Sequence, residues 1–283
     1  MSSSNILHSI VQSLTAVYTR SEATAVARIL GEDMLGLNYT DMLIDGMDRL
    51  SVSQRGRLSE ALSRLRSGEP VQYVTGQASF MGHVFAVSPA VLIPRPETED
   101  LVQLVIDAYA QDAPAPRLCD ACTGSGCIAV SLKLGLPTAS VSAFDLSEEA
   151  LEIARANAAR LGADVELYGG DLSHPESLPG APLDVMVSNP PYVRQSEEAQ
   201  MTDQVRDYEP RMALFVPDAD ALCFYRWLGQ WARRVLVPGG RLYCEVNEAL
   251  ADDTAHLLVG IGLTRAEVRQ DRYGKKRFVV CTK

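Results

Sequence analysis

Residues 118–126 read Leu118-Cys119-Asp120-Ala121-Cys122-Thr123-Gly124-Ser125-Gly126, and an apolar helical pattern, Ile128–Leu134, follows at once. A short buried strand, a glycine turn and a helix is a unit that brings bare backbone close to a ligand at a helix N-terminus. Asp145 ends the next strand, 19 residues after Gly126, and a carboxylate there suits the two hydroxyls of a ribose. Asp171 follows the third strand behind Gly169-Gly170, in a position that suits an adenine edge. Taken alone, the loop leaves alternatives open. Gly124-x-Gly126-x-x-Ala129 also satisfies the dinucleotide fingerprint, and a ligand-free turn with Asp145 as an ordinary cap is the plain reading. A nucleoside ligand is favoured, but nicotinamide dinucleotide and S-adenosylmethionine are not separated at this point.

Outward from the loop, strands and helices alternate. Val141–Phe144, Val165–Tyr168, Val185–Ser188 and Leu242–Val246 read as strands. Glu148–Leu161 and Leu250–Ile261 read as helices, as does Phe224–Leu236, stopped by Pro238-Gly239-Gly240. Such alternation predicts a parallel sheet covered by helices on both faces. Glu267–Gln270 and Phe278–Cys281 are strands joined too closely for a parallel crossover, which needs about a dozen residues or more. The last strand is therefore predicted antiparallel. The fold class that follows is α/β, a doubly wound sheet of seven strands with one antiparallel strand near its C-terminal edge, which leans towards a methyltransferase-type sheet, preceded by a small helical bundle.

The bundle precedes the sheet. Ile6, Ile10, Leu14 and Val17 recur at helical spacing, as do Val26, Leu30 and Met34 after a cap at Ser21. Met42, Leu43 and Met47 make a third pattern, and Leu58, Leu62 and Leu65 a fourth, after a cap at Ser53. Between Pro70 and Ile93 the β-formers Tyr73, Val74, Phe80, Val84, Phe85 and Val87, with turn signals at Gly76 and Gly82, predict a hairpin that joins two domains. A helix from Thr98 to Ala110 follows, ended by Pro114-Ala115-Pro116. The predicted organisation is a helical domain over 1–69, a hairpin linker over 70–93 and an α/β domain over 94–283.

Composition excludes several classes. The 283 residues are 47% hydrophobic and 22% charged, ordinary globular values. The formal charge is −10; positions 1–70 hold seven basic and eight acidic residues, so nearly all of the excess falls in the catalytic part. An acidic chain is poorly suited to gripping a phosphate backbone, so no direct nucleic-acid partner is expected. No apolar run approaches the roughly 18 residues that span a bilayer, so no membrane association is expected. Six cysteines without a secretory signal predict reduced thiols and a cytoplasmic location.

The second decisive stretch is Asn189-Pro190-Pro191-Tyr192, at the end of the apolar strand Val185–Ser188. Open α/β sheets bind ligands at that edge. The prolines stiffen the turn and lack N–H donors. Asn189 offers a side-chain carbonyl and Tyr192 a flat ring. Methylation of a planar NH2 group needs such a set, because the delocalised nitrogen is a poor nucleophile. Two acceptors, the Asn189 side chain and the Pro190 carbonyl, can hold its two hydrogens and aim the lone pair at a methyl sulfonium. Alignment then supplies the rate without a strong base.

Other candidates carry less. Cys119-x-x-Cys122 has metal or redox spacing but no second pair nearby, so no metal is expected. Arg55, Arg57, Arg64 and Arg66 share one predicted helix, as a solvated face or a docking patch. Glu245, ending a strand, is read as structural.

With these residues in view, the chain resembles the bacterial protein-(glutamine-N5) methyltransferases, and among them the release factor glutamine methyltransferase (HemK/PrmC) family. The resemblance spans nearly the whole sequence and rests on five stretches: Gly68–Gly76, Val91–Glu99, the glycine loop, Asn189–Val193 and Val205–Leu214. Pro94-Arg95-Pro96-Glu97-Thr98-Glu99 together with Asn189–Tyr192 is highly specific. The resemblance implies a Rossmann-like class I methyltransferase domain over 94–283 joined by the hairpin to a helical, substrate-docking domain over 1–69, with S-adenosylmethionine as cofactor and methylation of the glutamine in the Gly-Gly-Gln loop of class I peptide chain release factors. It implies a cofactor site at Asp120, Cys122, Thr123, Gly124, Ser125, Gly126, Asp145, Leu146, Asp171, Leu172 and Asn189. The amide site then falls on Asn189, Pro190, Pro191 and Tyr192, with Arg95 and Glu97 by its mouth. Two departures from the family pattern stand out: Cys122 replaces a usual glycine, and Phe215–Asp220 lacks the glycines usual there.

Three rival activities fit the sequence less well. A glutamine methyltransferase acting on a ribosomal protein tends to lack Glu97-Thr98-Glu99. An adenine-N6 nucleic-acid methyltransferase needs a basic groove or a recognition insert. A nicotinamide oxidoreductase needs a hydride-transfer site, and none resembling one is present. A non-catalytic binding module would leave the tetrapeptide without a purpose.

Overall fold

A computed structural model describes residues 5–110 and 115–283. Their contacts divide into two units, one of residues up to Gln77 together with Thr202–Tyr208, the other of Ala78–Met201 and Glu209–Lys283.

The first unit contains α1 (Ile6–Leu14), α2 (Arg20–Ile29), α3 (Tyr39–Ile44), α4 (Val52–Arg66) and α5 (Val71–Thr75). Its caps lie two residues earlier than the sequence suggests. Thr19, not Ser21, caps α2 in a reciprocal pair with Glu22, and Ser51, not Ser53, caps α4 with Gln54. In each case the earlier residue alone has a Glu or Gln three positions on that can reach back to its own N–H. Ile6, Ile10, Leu14, Leu30, Met42, Leu58 and Leu65 form the core. Val17 and Leu43 are exposed instead, Val17 because α1 ends at Leu14.

The expected strand character of Tyr73 and Val74 is overturned, since both lie in α5. Val71 and Val74 share a helical face and join the bundle core. The Arg64 guanidinium grips Glu69 at 2.5 and 2.7 Å and donates to the Tyr73 carbonyl at 3.1 Å. Tertiary contact thus overrides local β-propensity. The same contacts take Arg64 out of any docking patch, while Arg55, Arg57 and Arg66 stay exposed.

The hairpin of β1 (Gln77–Phe80) and β2 (His83–Ala86) starts on the last residue of the first unit's N-terminal stretch and otherwise belongs to the second unit, which continues with α6 (Pro96–Tyr109). Pro114, the expected stop of α6, lies outside the described residues. Then come β3 (Arg117–Ala121), α7 (Cys127–Gly135), β4 (Ser140–Asp145), α8 (Glu148–Leu161), β5 (Val165–Gly169), β6 (Leu183–Ser188) and β7 (Val193–Arg194). A helix α9 (Asp203–Tyr208) returns to the first unit, where Gln204 Nε2 donates to Tyr18 Oη at 2.9 Å and Tyr208 Oη to the Ser67 carbonyl at 2.7 Å. The chain closes with α10 (Arg211–Leu214), β8 (Phe215–Val216), α11 (Cys223–Val235), β9 (Leu236–Glu245), α12 (Ala251–Ile261), β10 (Thr264–Gln270) and β11 (Lys276–Thr282).

Seven strands form one sheet in the order β10-β11-β9-β6-β3-β4-β5. β11 is antiparallel to both neighbours, as its short connection requires. The pairs β9–β6, β6–β3, β3–β4 and β4–β5 are parallel. Pro238-Gly239-Gly240 does not stop the preceding helix, which already ends at Val235; it lies inside the irregular first half of β9. Phe80 and Phe85 of the hairpin, with Leu101, Val105, Ile128 and Val187, fill one face of the sheet. Tyr225, Leu228, Trp231 and Leu258 fill the other. The buried Asn157 side chain takes the place of a strand partner for β2, accepting from Ala86 N at 2.7 Å and donating to Ala86 O at 3.0 Å.

The register of the sheet assembles the site. Ala121 pairs with Phe144 and Ser188, and Ser188 pairs with Cys244. The next residue along each strand, Cys122, Asp145, Asn189 and Glu245, therefore emerges at one carboxyl edge.

Candidate active site

The turn after β3 is held from beneath. Asp120 Oδ2 accepts from Thr123 Oγ1 at 2.6 Å and from Ala129 N at 3.2 Å. Its other oxygen is buried and has no hydrogen-bond partner among the described residues. Burial pushes the Asp120 carboxyl up to about 7. Asp120 thus braces the loop and does not line the cavity above it. Three loop residues have left-handed backbone: Cys122 (φ 61), Gly124 (φ 54) and Gly126 (φ 79). A side chain at Gly126 would meet the Cβ of Ala154 on α8 at 3.0 Å, so this glycine is a packing contact as well as a turn.

The cavity above the loop encloses about 300 Å³ and is lined mostly by carbon. Cys122, Thr123, Gly124, Ser125, Asp145, Leu146, Asp171, Leu172, Asn189, Pro191 and Arg95 all reach it. Phe144, Phe224 and Trp227 add aromatic walls that the sequence did not single out. Asp120, Gly126, Glu97, Pro190 and Tyr192 do not line it. Asp145 Oδ2 accepts from Gly124 N at 2.8 Å and Oδ1 from Ser147 N at 3.0 Å. Burial raises its carboxyl above the usual range, against these backbone bonds. Asp171 is differently engaged. Oδ1 accepts from Ser173 N and Oγ at 2.8 and 2.6 Å, and Oδ2 lies 2.9 Å from His174 Nδ1. The Ser173 hydrogen bond holds this carboxyl below its ordinary value. Much of the Asp171 carboxylate is thus spent on its own turn.

Behind the tetrapeptide is a buried polar cluster. Asn189 Nδ2 donates to Thr98 Oγ1 at 3.2 Å, and Thr98 Oγ1 donates to Glu245 Oε2 at 2.7 Å. Tyr192 Oη donates to Glu245 Oε1 at 3.1 Å. Burial raises both the Glu245 carboxyl and the Tyr192 phenol, and the Thr98 bond opposes the shift of Glu245. The sequence reading expected the Tyr192 ring at the reacting group. The structure turns its hydroxyl inward to Glu245, because a phenol without a partner is costly to bury. Glu245, set aside as structural, touches two residues that adjoin the site. The one signal for it in the sequence was a charge ending an apolar strand. At the mouth, Arg95 Nη2 meets Glu209 Oε1 at 2.5 Å, and Ile93 N donates to Glu209 Oε2 at 3.2 Å.

Residues 5–76 match the PrmC N-terminal domain, and residues 101–206 the methyltransferase small domain. A release factor glutamine methyltransferase of Bacteroides thetaiotaomicron is 41% identical over 96% of this chain and 97% of its own. The chain belongs to the release factor glutamine methyltransferase family. A further relative with that name, from Bordetella pertussis, is 39% identical over 89% of this chain and 92% of its own. A methyltransferase structure from Pyrococcus furiosus aligns with a TM-score of 0.52 at 16% identity, over 82% of this chain and 99% of that one, and shares the fold.

As a member of this family the chain is an S-adenosylmethionine-dependent protein-(glutamine-N5) methyltransferase. The residues present fit that cofactor. A glycine loop bares backbone, a carboxylate stands at the β4 edge, and aromatic walls suit a planar base. Among the described residues no helix is long and apolar enough to cross a membrane.

Proposed function

We propose that this chain methylates the side-chain amide nitrogen of the glutamine in the Gly-Gly-Gln motif of class I peptide chain release factors. The observation that carries the reading is the state of Asn189. Its amide NH2 is engaged by Thr98 at 3.2 Å while the residue lines the cavity. Its Oδ1 is then the atom left to accept a hydrogen from an incoming amide.

In this reading Thr123–Ser125, Asp145, Leu146 and Leu172 would hold S-adenosylmethionine, whose chemistry there would be to supply a sulfonium methyl. Asn189 Oδ1 accepts one hydrogen of the glutamine amide, and the carbonyl of Pro190, a residue between the cavity-lining Asn189 and Pro191, is the expected acceptor for the other. Held in this way, the amide lone pair would be free to take the methyl as its bond to sulfur breaks, and one of the two amide protons would be lost to solvent. Pro191 lines the cavity and helps to exclude water, and no residue need act as a strong base. Arg95, steadied by Glu209, guards the mouth, with Glu97 two residues further on as a candidate substrate contact. The helical unit, with exposed Arg55, Arg57 and Arg66, is the proposed docking surface for the rest of the factor, because one amide offers too little surface for specificity. A cytoplasmic setting fits the six free cysteines, five of them buried, and the acidic catalytic part fits a protein substrate better than a nucleic acid.

The test is incubation with S-adenosylmethionine and a purified release factor, followed by peptide mass spectrometry. One methyl on the Gly-Gly-Gln glutamine is expected, and none on a factor with that glutamine changed to alanine. Methylation of ribosomal protein or nucleic acid in place of the factor would overturn the proposal.

A further inference from the structure

The buried cluster behind Asn189 has a directional logic. Against burial, which raises its carboxyl, the hydrogen bonds from Thr98 and Tyr192 and the nearby Arg277 charge favour the ionised form of Glu245. As a carboxylate it can only accept hydrogen bonds, so the hydroxyl 2.7 Å from Oε2 points its hydrogen there. Thr98 has one hydroxyl hydrogen. Once that is given to Glu245, Thr98 Oγ1 can only accept from its other neighbour. That neighbour is the Asn189 amide at 3.2 Å, so Nδ2, not Oδ1, must face Thr98. The second oxygen of Glu245 is occupied by the Tyr192 hydroxyl at 3.1 Å, so both oxygens act as acceptors. Thr98 and Glu245 are almost wholly buried, at 2% and 1% exposure, which keeps water from scrambling these directions.

We infer that Thr98 and Glu245 are positioning residues for methyl transfer: they fix which way round the Asn189 amide sits, so that its carbonyl oxygen faces the substrate. The inference rests on the proposed glutamine methylation and adds to it. An Asn189 side chain turned over would present NH2 to the NH2 of the substrate, two donors facing each other. A free side chain would share its time between the two orientations. The protein removes that choice with residues on α6 and at the end of β9, 91 and 53 residues from Asn189 and Tyr192 respectively along the chain. The side-chain alternation of β9 brings this about. Tyr243 and Glu245 share the sheet face covered by α6, and Glu245 pairs with Phe278 of the same face.

The experiment compares full-length wild type with Thr98→Val, Thr98→Ser and Asn189→Ala, and with the Thr98→Val/Asn189→Ala double variant, on a purified release factor. Wild-type activity comes first, since its absence would count against the proposed substrate and not against Thr98. Thr98→Val should lower kcat about 10-fold or more, with KM for the factor and cofactor affinity by calorimetry within about threefold. Thr98→Ser, which keeps the hydroxyl, should return kcat to within about threefold of wild type. In the Asn189→Ala background, Thr98→Val should change kcat less than about twofold, because there is no amide left to orient. Thr98→Ala replaces Thr98→Val should the latter fail to fold, with the same expectations. Unchanged kcat on loss of the hydroxyl, no rescue by serine, or additive losses in the double variant would each overturn the inference.

Discussion

Arg95 and Glu209 meet at 2.5 Å across 114 residues of sequence, and the Glu209 side chain is only 1% exposed. Its second oxygen receives the Ile93 N–H. One carboxylate therefore ties down the Ile93–Arg95 segment by its backbone at Ile93 and its side chain at Arg95, a residue that lines the cavity. Arg95→Met leaves Glu209 buried without its cation. Removing one partner of a buried pair costs about 3–5 kcal/mol, and the partial exposure of Arg95 places this case near the lower end. Chemical denaturation should show a loss of about 3 kcal/mol, with a smaller loss for Glu209→Gln, which keeps an acceptor for Ile93.

Asp145 is the candidate ribose acceptor. Asp145→Ala should weaken S-adenosylmethionine binding by about 1.5–3 kcal/mol, the range for a hydrogen bond to a charged group. Burial raises its carboxyl, so protonation sets in at higher pH than for a free aspartate. Affinity measured by calorimetry in wild type should fall as pH drops into the mildly acidic range, and this fall should be absent in Asp145→Ala.

Asn189→Ala should lower kcat about 10²–10³-fold, as for loss of one preorganised contact to a reacting centre. Cofactor affinity should change much less. Single-turnover kinetics at saturating cofactor distinguishes the two effects, and a near wild-type rate would refute amide alignment.

Asp120 gives a pH signature in stability. Its carboxyl is raised to about 7 in the fold, against about 3.9 in an unfolded chain. Between these values the native state holds a proton that the unfolded state has released. Its contribution to stability is therefore full below about 4 and declines as pH rises toward 7, by up to about 1.4 kcal/mol per pH unit. Asp120→Asn lacks this decline. Its stability relative to wild type should rise across that window in denaturation experiments at several pH values.

Cys122 has a φ of 61, a conformation that costs a residue with a Cβ about 1–2 kcal/mol. Cys122→Gly relieves that strain while adding freedom to the unfolded chain, so its stability should match or slightly exceed wild type, with cofactor affinity retained. Cys122→Val, branched at Cβ, should destabilise by about 1–2 kcal/mol. Thermal melts of both variants check the contrast.

The sequence by itself determined what depends on neighbours along the chain. The glycine turn after β3, Asp145 at the next strand end and the stiff Asn189–Tyr192 corner follow from local turn chemistry and spacing. The reversed direction of β11 follows from a connection too short to cross over. Tertiary structure decided the rest, and the reason is distance along the chain. Local propensity favoured a strand at Tyr73-Val74, and the Arg64 fork with the bundle core made it a helix. Nothing near Asp203–Tyr208 in sequence marks it as part of the helical unit, which holds it through Tyr18 and Ser67. The union of Glu245, Thr98, Asn189 and Tyr192 was equally hidden, since bonds across as many as 147 residues exist only once the register of β9 and the placement of α6 are set. A hydrogen bond acts over a few ångströms, so residues far apart in sequence acquire their orienting partners only when the sheet has formed.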